Sequence, residues 1–201
     1  TYDESSFYVA YWYPQMAVYD DVDGWDTFNY GGTEEFYNDF SNYEFELTVP
    51  ENFIVWGTGV LQNPQEVLAP KIFDKYMQGQ TADSVVRVVT KEDYSGGLVT
   101  SEGKNTFRFK AENVTDITFG VSDHYLWDIT SLVVDKKTGR RSIAAAAYKK
   151  ESKDFYEVAR IAKETIDYLS NVMPAYPYPY HEMTVFNGAG GMEAPMMVND
   201  G

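Results

Sequence analysis

Alternation of apolar and polar residues marks the clearest strand in the first half of the chain. In the segment 43–49 the apolar side chains share one face and the polar side chains share the other (Tyr43, Phe45, Leu47 and Val49 against Glu44, Glu46 and Thr48). A period of two residues is typical of a half-buried β-strand. A turn at Pro50 follows, and the apolar run 53–57 is predicted to return as the antiparallel partner of this strand.

Further apolar and β-branched runs predict short strands over most of the first 149 residues. They lie at 6–14, 84–90, 106–110, 117–121, 125–134 and 141–148. Two short helices are predicted to begin at Pro64 and Pro70, because proline suits the first helical position, and the second should end at Gly79. Many short strands with little helix indicate a mainly β, antiparallel domain over residues 1–149.

The pattern changes near Lys149, where we expect a domain boundary and a second domain over residues 150–201. Apolar residues recur at helical spacing between 152 and 173, which predicts one long amphipathic helix with Ser152 as its N-cap. Pro174 ends this helix, and the Tyr-Pro-Tyr-Pro run from Tyr176 is predicted to be extended. A strand over 182–187 then leads into a glycine-rich segment.

The glycine-rich segment, Asn187-Gly-Ala-Gly-Gly-Met-Glu-Ala-Pro195, carries the candidate chemistry of the sequence. Little side-chain bulk covers its backbone, so a ligand could approach the main chain closely. One carboxylate, Glu193, follows in an apolar context between Met192 and Ala194. The alternative interpretation is a glycine turn that simply leads into a strand.

Composition excludes several function classes. The net charge of −15 argues against nucleic acid as a partner, because phosphate binding needs clustered Lys and Arg. The same field favours cationic or amine-bearing ligands, although an acidic surface commonly serves only solubility. The absence of Cys excludes thiolate chemistry, and no apolar run approaches the roughly 20 residues of a membrane helix, so no membrane segment is expected.

Metal-binding patterns are weak within the chain. The Asp-Asp-Val-Asp run at 20–23 suggests calcium, but it lacks the EF-hand spacing and closing Glu, which favours a solvated loop. His181-Glu182 begins like the zinc-protease pattern His-Glu-x-x-His, but Val185 stands where the second His belongs. The only other His is His124, so no metal site of three protein ligands is expected within the chain.

The order of these features resembles the zinc aminopeptidases of the aminopeptidase N and leukotriene hydrolase type, the gluzincins. The resemblance covers residues 7–201 and is closest to divergent bacterial members. Its most specific elements are the Tyr-Pro-Tyr-Pro run at Tyr176 and Gly190-Gly-Met-Glu-Ala194, which is similar to the family's Gly-x-Met-Glu-Asn exopeptidase motif. The resemblance implies an antiparallel β-sandwich or saddle-like domain, followed by the first helix and strands of an α+β, thermolysin-like catalytic domain.

The resemblance also implies roles for the motif residues. Gly190, Gly191 and Met192 would line the main chain of a peptide substrate, and Glu193 would bind its free α-amine in a partly dry cleft. Ala194, which also belongs to the substrate-binding motif, replaces the family's Asn and so lacks that amide.

Activity and location follow from the same resemblance. The implied activity is zinc-dependent removal of residues from peptide N-termini. The zinc ligands and the catalytic Tyr are expected beyond Gly201, so this piece is expected to be inactive without the remainder of its own catalytic domain. A secreted or periplasmic location suits bacterial relatives, but the residues themselves assign none.

Two other functions also fit the sequence. One is a non-catalytic β-rich module that uses its many Tyr and Trp residues to bind peptide or carbohydrate. The other is a degenerate family member that kept the fold and lost the metal site. Aromatic residues at strand-periodic positions are more often part of a core, which weighs against the first of these.

Overall fold

The computed structural model of the chain describes residues 3–29, 31–32 and 36–201, and within them the protein is mainly β. Its strands are β1 (Phe7–Val9), β2 (Tyr19–Asp20), β3 (Gly24–Trp25), β4 (Ser41–Val49), β5 (Ile54–Gly57), β6 (Val60–Leu61), β7 (Val86–Val89), β8 (Asn105–Val114), β9 (Phe119–Ser122), β10 (Leu126–Asp135), β11 (Arg140–Tyr148), β12 (Glu182–Asn187), β13 (Met192–Ala194) and β14 (Met197–Asp200). Its helices are α1 (Pro64–Val67), α2 (Pro70–Gly79), α3 (Lys91–Gly96) and α4 (Val158–Asn171), the last preceded by a 3-10 helix (Lys153–Glu157).

The largest sheet has six strands in the order β13-β14-β12-β11-β10-β7. Two of its pairings, β11 with β12 and β12 with β14, are parallel, and the others are antiparallel. Two three-stranded sheets, β1-β9-β5 and β4-β8-β6, and the β2–β3 hairpin are wholly antiparallel. Antiparallel pairing therefore dominates, as the strand pattern predicts.

Strand β11 explains how the six-stranded sheet is covered. Its last six residues, Ile143-Ala-Ala-Ala-Ala-Tyr148, are all buried. Ala145 and Ala147 belong to one hydrophobic cluster, and Ala144 and Ala146 belong to another on the opposite face. The sequence of a strand that is buried on both faces is a continuous apolar run, without alternating polar residues.

The first cluster joins the six-stranded sheet to the two smaller sheets and to α1 and α2. It is strongly aromatic, and its buried aromatic members are Phe45, Trp56, Tyr76, Phe107, Phe109, Tyr125, Trp127 and Phe186. Several of these rings touch, including Tyr125 and Phe186, whose ring centroids lie 5.0 Å apart. Aromatic side chains bury the largest apolar areas of any residues, so these contacts dominate the core.

The second cluster packs α4 on the opposite face of the sheet. The contact is made by Ala159, Ala162 and Ile166 of α4, together with Phe155 of the preceding 3-10 helix, at helical spacing. The predicted amphipathic helix is therefore present, although its first turns form a 3-10 helix and α4 ends at Asn171. None of the helices in the described ranges combines the length and apolar character needed to cross a membrane.

A buried polar link holds the start of this helical segment on the sheet. Asp128, on β10, accepts hydrogen bonds from Arg87 and from the Tyr148 hydroxyl, the latter at 2.6 Å. Arg87 also donates to the carbonyl of Tyr156, in the 3-10 helix, at 3.2 Å. Burial raises the pKa of Asp128 to about 6, while Tyr148 and Arg87 act in the opposite direction.

Three local predictions are wrong. Of the strand predicted over 6–14, only Phe7–Val9 forms, as β1. Strand β4 is present, but it pairs with β8, and the run 53–57 contributes β5, which pairs with β9 instead. The observed pairing of β4 with β8 brings the rings of Phe45 and Phe109 into a stacked contact, with 5.2 Å between their centroids. Ser152 makes no side-chain cap, because its hydroxyl donates instead to Asn187 Oδ1 at 2.7 Å.

The expected boundary near Lys149 falls between strands of one sheet. Strand β11 precedes it and β12 follows it, and the two pair in register from Ile143 opposite Glu182 to Ala147 opposite Phe186. Phe186 and Met197 also belong to the first hydrophobic cluster. Residues on both sides of position 149 therefore share one sheet and one core.

The close contact between α2 and β10 yields a stability prediction. A Cβ on Gly79 would lie 2.7 Å from Ile129 Cγ2, whereas a Cβ on Gly96, the last residue of α3, would meet nothing within 4 Å. Ala is the better helix former by about 1 kcal/mol, so propensity favours both substitutions. We expect Gly79→Ala to destabilise the protein by roughly 1–3 kcal/mol through overpacking, and Gly96→Ala to be neutral or slightly stabilising.

Urea unfolding of the two variants beside the wild type measures the difference. Equal free energies of unfolding for the two variants would contradict the close contact at Gly79.

Candidate functional site

The glycine-rich segment starts from a firmly held residue at the end of β12. Asn187 Oδ1 accepts hydrogen bonds from the Ser152 hydroxyl at 2.7 Å and from the main-chain N–H of Lys149 at 3.5 Å. Its carbonyl oxygen accepts the buried Tyr125 hydroxyl at 2.6 Å. The chain therefore enters the segment from a fixed point on the sheet.

Asn199, on β14, closes the glycine loop. Its Nδ2 donates to the carbonyls of Ala189 and Gly190, both at 3.2 Å. A Cβ on Gly188 would lie 1.8 Å from Asn199 Oδ1, and Gly190 has φ of +84°. Glycine is thus required at 188 for space and favoured at 190 for conformation.

The predicted motif residues lie consecutively along the loop and β13. Gly190 and Gly191 are exposed, Met192 and Ala194 are half-buried, and Glu193 between them is exposed. Ala194 packs against the first hydrophobic cluster. The partly dry cleft expected around Glu193 is therefore not formed by the described residues alone.

Strand β13 is the terminal strand of the six-stranded sheet. It pairs with β14, with Met192 opposite Asn199 and Ala194 opposite Met197. Within the described part of the chain, its other edge has no strand beside it. An edge strand presents main-chain N–H and C=O groups to which an extended peptide can pair.

The turn between β13 and β14 fixes the edge strand in place. Met196 has φ of +67°, a left-handed conformation that costs a non-glycine residue about 1 kcal/mol. The Thr58 hydroxyl donates to the Pro195 carbonyl, and the Thr184 N–H donates to the Met196 carbonyl, each at 2.9 Å. Hydrogen bonds from two separate parts of the fold hold this turn.

The surroundings of Glu193 are electronegative. Burial raises the pKa of Tyr8, and the negative charges of Asp116 and Glu193 raise it further, against the effect of the Thr118 hydrogen bond. Tyr8 is therefore a neutral phenol within electrostatic range of the Glu193 carboxylate. Such a site favours a cation over an anion.

Sequence reasoning missed the residues that position the motif. Asn199 carries no local signal, since a single Asn in a strand has many possible roles. Thr58 and Tyr8 lie more than 130 residues before Pro195 and Glu193. Only the packing of the smaller sheet β1-β9-β5 against the six-stranded sheet brings them near the site.

The possible metal ligands are not gathered into a site. Asp20 Oδ1 accepts the N–H groups of Val22 and Asp23 at 2.9 and 2.8 Å, and these bonds lower the pKa of Asp20. The Asp20 side chain therefore stabilises the turn that follows it. Over residues 3–29, 31–32 and 36–201 no group of three His, Asp or Glu side chains is arranged to hold a metal ion.

No protein-family model matches the chain, and no curated protein sequence matches it. The resemblance to the gluzincin aminopeptidases therefore rests on the motif residues and their order alone.

Glu182, the first residue of β12, makes the stability of the folded protein depend on pH. Burial raises the pKa of its carboxyl group from 4.5 to about 7, and a 3.4 Å hydrogen bond from Thr184 opposes this only in part. The folded state therefore binds the proton more tightly than the unfolded state. This contribution to stability falls as pH rises from about 4.5 to about 7.

We expect Glu182→Gln to remove this dependence. The stabilisation by the substitution should be roughly 2 kcal/mol larger at pH 8 than at pH 5, measured by urea unfolding at both pH values. Glu44→Gln, at an exposed position of β4, is the matched control and should show no such difference. A pH-independent effect of Glu182→Gln would contradict the raised pKa.

Proposed function

We propose that this chain is the β-rich front portion of a zinc-dependent aminopeptidase in which Glu193 holds the α-ammonium group of the peptide. One observation carries the proposal: an exposed carboxylate stands on the terminal strand of the sheet, directly after a glycine loop. The sequence resemblance to the gluzincin exopeptidase motif supplies the reaction class.

The backbone of β13 would bind the main chain of the substrate. An extended peptide can add to a free strand edge through main-chain hydrogen bonds that do not depend on its sequence. Gly190 and Gly191 are exposed and carry no side chain that would obstruct such a strand. Ala194 would contribute its main chain, since its small side chain packs towards the core.

The charge of Glu193 would set where the peptide begins. A hydrogen bond between an ammonium group and a carboxylate is about twice as strong as one between neutral groups. The negative charge of Asp116 also reaches this region, since it contributes to the raised pKa of Tyr8. A peptide anchored by its first amine has a fixed register along β13, so the same peptide bond always occupies the same position.

The metal belongs to residues outside this sequence in our proposal. The described residues provide no ligand set for zinc, and we derive no catalytic step through it. The part of the reaction assigned here is substrate binding and register.

The main alternative is a non-catalytic module that binds peptide or carbohydrate. The exposed aromatic rings Trp25, Phe28 and Tyr37 favour a binding surface away from β13. Hydrolysis of peptides by the full-length protein separates the two functions, because a binding module would have none.

The direct test is Glu193→Gln in the full-length, zinc-loaded protein. We expect kcat/KM for a peptide with a free N-terminus to fall about 100-fold or more, because a charge-assisted anchor is lost. The zinc content should not change, since Glu193 is no metal ligand in this proposal. An N-acetylated peptide of the same sequence should be a poor substrate for both proteins and should not be affected further.

Glu44→Gln again serves as the control, because it removes an equal charge from an exposed strand position. If Glu193→Gln retained the wild-type kcat/KM on free peptides, the anchor role would be wrong.

A further inference from the structure

The charges of the protein are distributed very unevenly along the chain. All 16 Lys and Arg residues and both His residues lie at position 71 or later. The first 70 residues contain 13 acidic residues and no basic side chain. Basic residues from later in the chain pair with some of these acids, as Arg108 does with Glu66 and Lys149 does with Asp3. A cleft in this part of the chain whose own lining has carboxylates and no basic side chain would still concentrate cations.

Such a cleft lies beside the β2–β3 hairpin. It has a volume of about 440 Å³, within the range of small-molecule sites. Aromatic rings provide much of its lining: Trp25, Phe28, Phe36 and Tyr37. A second cavity of about 260 Å³ adjoins it and shares Asp26, Phe28, Phe36 and Tyr37. We call the larger cavity the aromatic cleft.

The rings of the aromatic cleft are unusually open to solvent. Phe28 is 90% exposed, Trp25 is 57% exposed and Tyr37 is 56% exposed. Trp25 is supported from the side by Tyr19, with an edge contact of 5.1 Å between ring centroids. Clustered exposed aromatic side chains add little to folding, and they mark sites of interaction.

Carboxylates complete the lining of the cleft. Asp20, Asp23 and Asp26 all line it, and the described lining contains no basic side chain. Asp20 Oδ2 accepts the Tyr37 hydroxyl at 3.4 Å, and Asp26 Oδ1 accepts the Phe28 N–H at 3.1 Å. The first contact joins the acidic turn to the ring of Tyr37, and the second fixes the main chain that carries Phe28. The carboxylates do not gather as a metal-ligand group among the described residues.

We propose that the aromatic cleft binds an organic cation, a guanidinium or ammonium group, between its aromatic rings and the carboxylates of Asp23 and Asp26. Aromatic faces attract such cations through the ring quadrupole. Aspartate side chains neutralise them by charge-assisted hydrogen bonds. A neutral ligand of the same shape would gain the ring contacts alone, so the charge should decide the affinity.

This site is separate from the Glu193 anchor and does not depend on the peptidase proposal. Its occupant would be a free cationic metabolite or the Arg or Lys side chain of a basic peptide. Both sources present the same chemical group to the cleft.

The test uses probes that cannot engage an amine anchor. N-acetyl-arginine amide and N-acetyl-citrulline amide have almost the same shape, but only the first is charged, and neither has a free α-amine. We expect the arginine compound to bind at least about tenfold more tightly, by calorimetry or by quenching of Trp fluorescence, and its affinity to fall with added salt. Equal affinity for the two compounds, or no binding of either, would overturn the proposal.

A short peptide with one internal arginine distinguishes the two sources. If it binds more tightly than the single amino-acid amide, a peptide is the occupant. If the peptide binds more weakly than the single amino-acid amide, a small free cation is the occupant. In both cases the same peptide with citrulline in place of arginine must bind more weakly than the arginine peptide.

Two double variants test whether the preference for arginine depends on the carboxylates of the aromatic cleft. The double substitution Asp23→Asn with Asp26→Asn removes two charges from the aromatic cleft, and Glu44→Gln with Glu46→Gln removes two charges from exposed positions of β4. The first pair should abolish the preference for arginine over citrulline, and the second should retain it, with unchanged circular dichroism in both. If both pairs weaken arginine binding equally, the overall charge is responsible and the site is refuted.

Discussion

Burial of the central strands of the six-stranded sheet on both faces is the constraint on which the rest of the structure depends. The aromatic core covers one face and α4 covers the other. The alanines of β11 reflect this position, because they are buried towards both layers. This sheet contains strands from both halves of the chain, and β13 is the strand at one of its edges.

The candidate site takes its geometry from this arrangement. The glycine loop connects β12 to β13, so its position follows from the parallel pairing of β12 with β11 and β14. Thr58 and Asn199 then lock the turn and the loop by hydrogen bonds. Glu193 is thereby presented on a fixed strand, although it is itself exposed to solvent.

Much of the fold could be predicted from local patterns. The mainly β architecture, the strand at 182–187, and the helix over 152–173 follow from alternation, helical spacing and prolines. The partner of β4, the shared sheet across residue 149, and the contacts of Thr58 could not, because they depend on pairings between distant residues. The motif 190–194 was visible, but the exposure of Glu193 was not, since it depends on which elements stand beside the edge strand.

The central claim is that β13 and Glu193 bind the first residues of a peptide. A crystal structure of the full-length protein with a bound peptide tests it, because it locates the α-ammonium group. Our proposal predicts that this nitrogen lies about 3 Å from the Glu193 carboxylate, with the peptide main chain paired along β13. A peptide whose ammonium group is held elsewhere, with the edge of β13 unpaired, would contradict it.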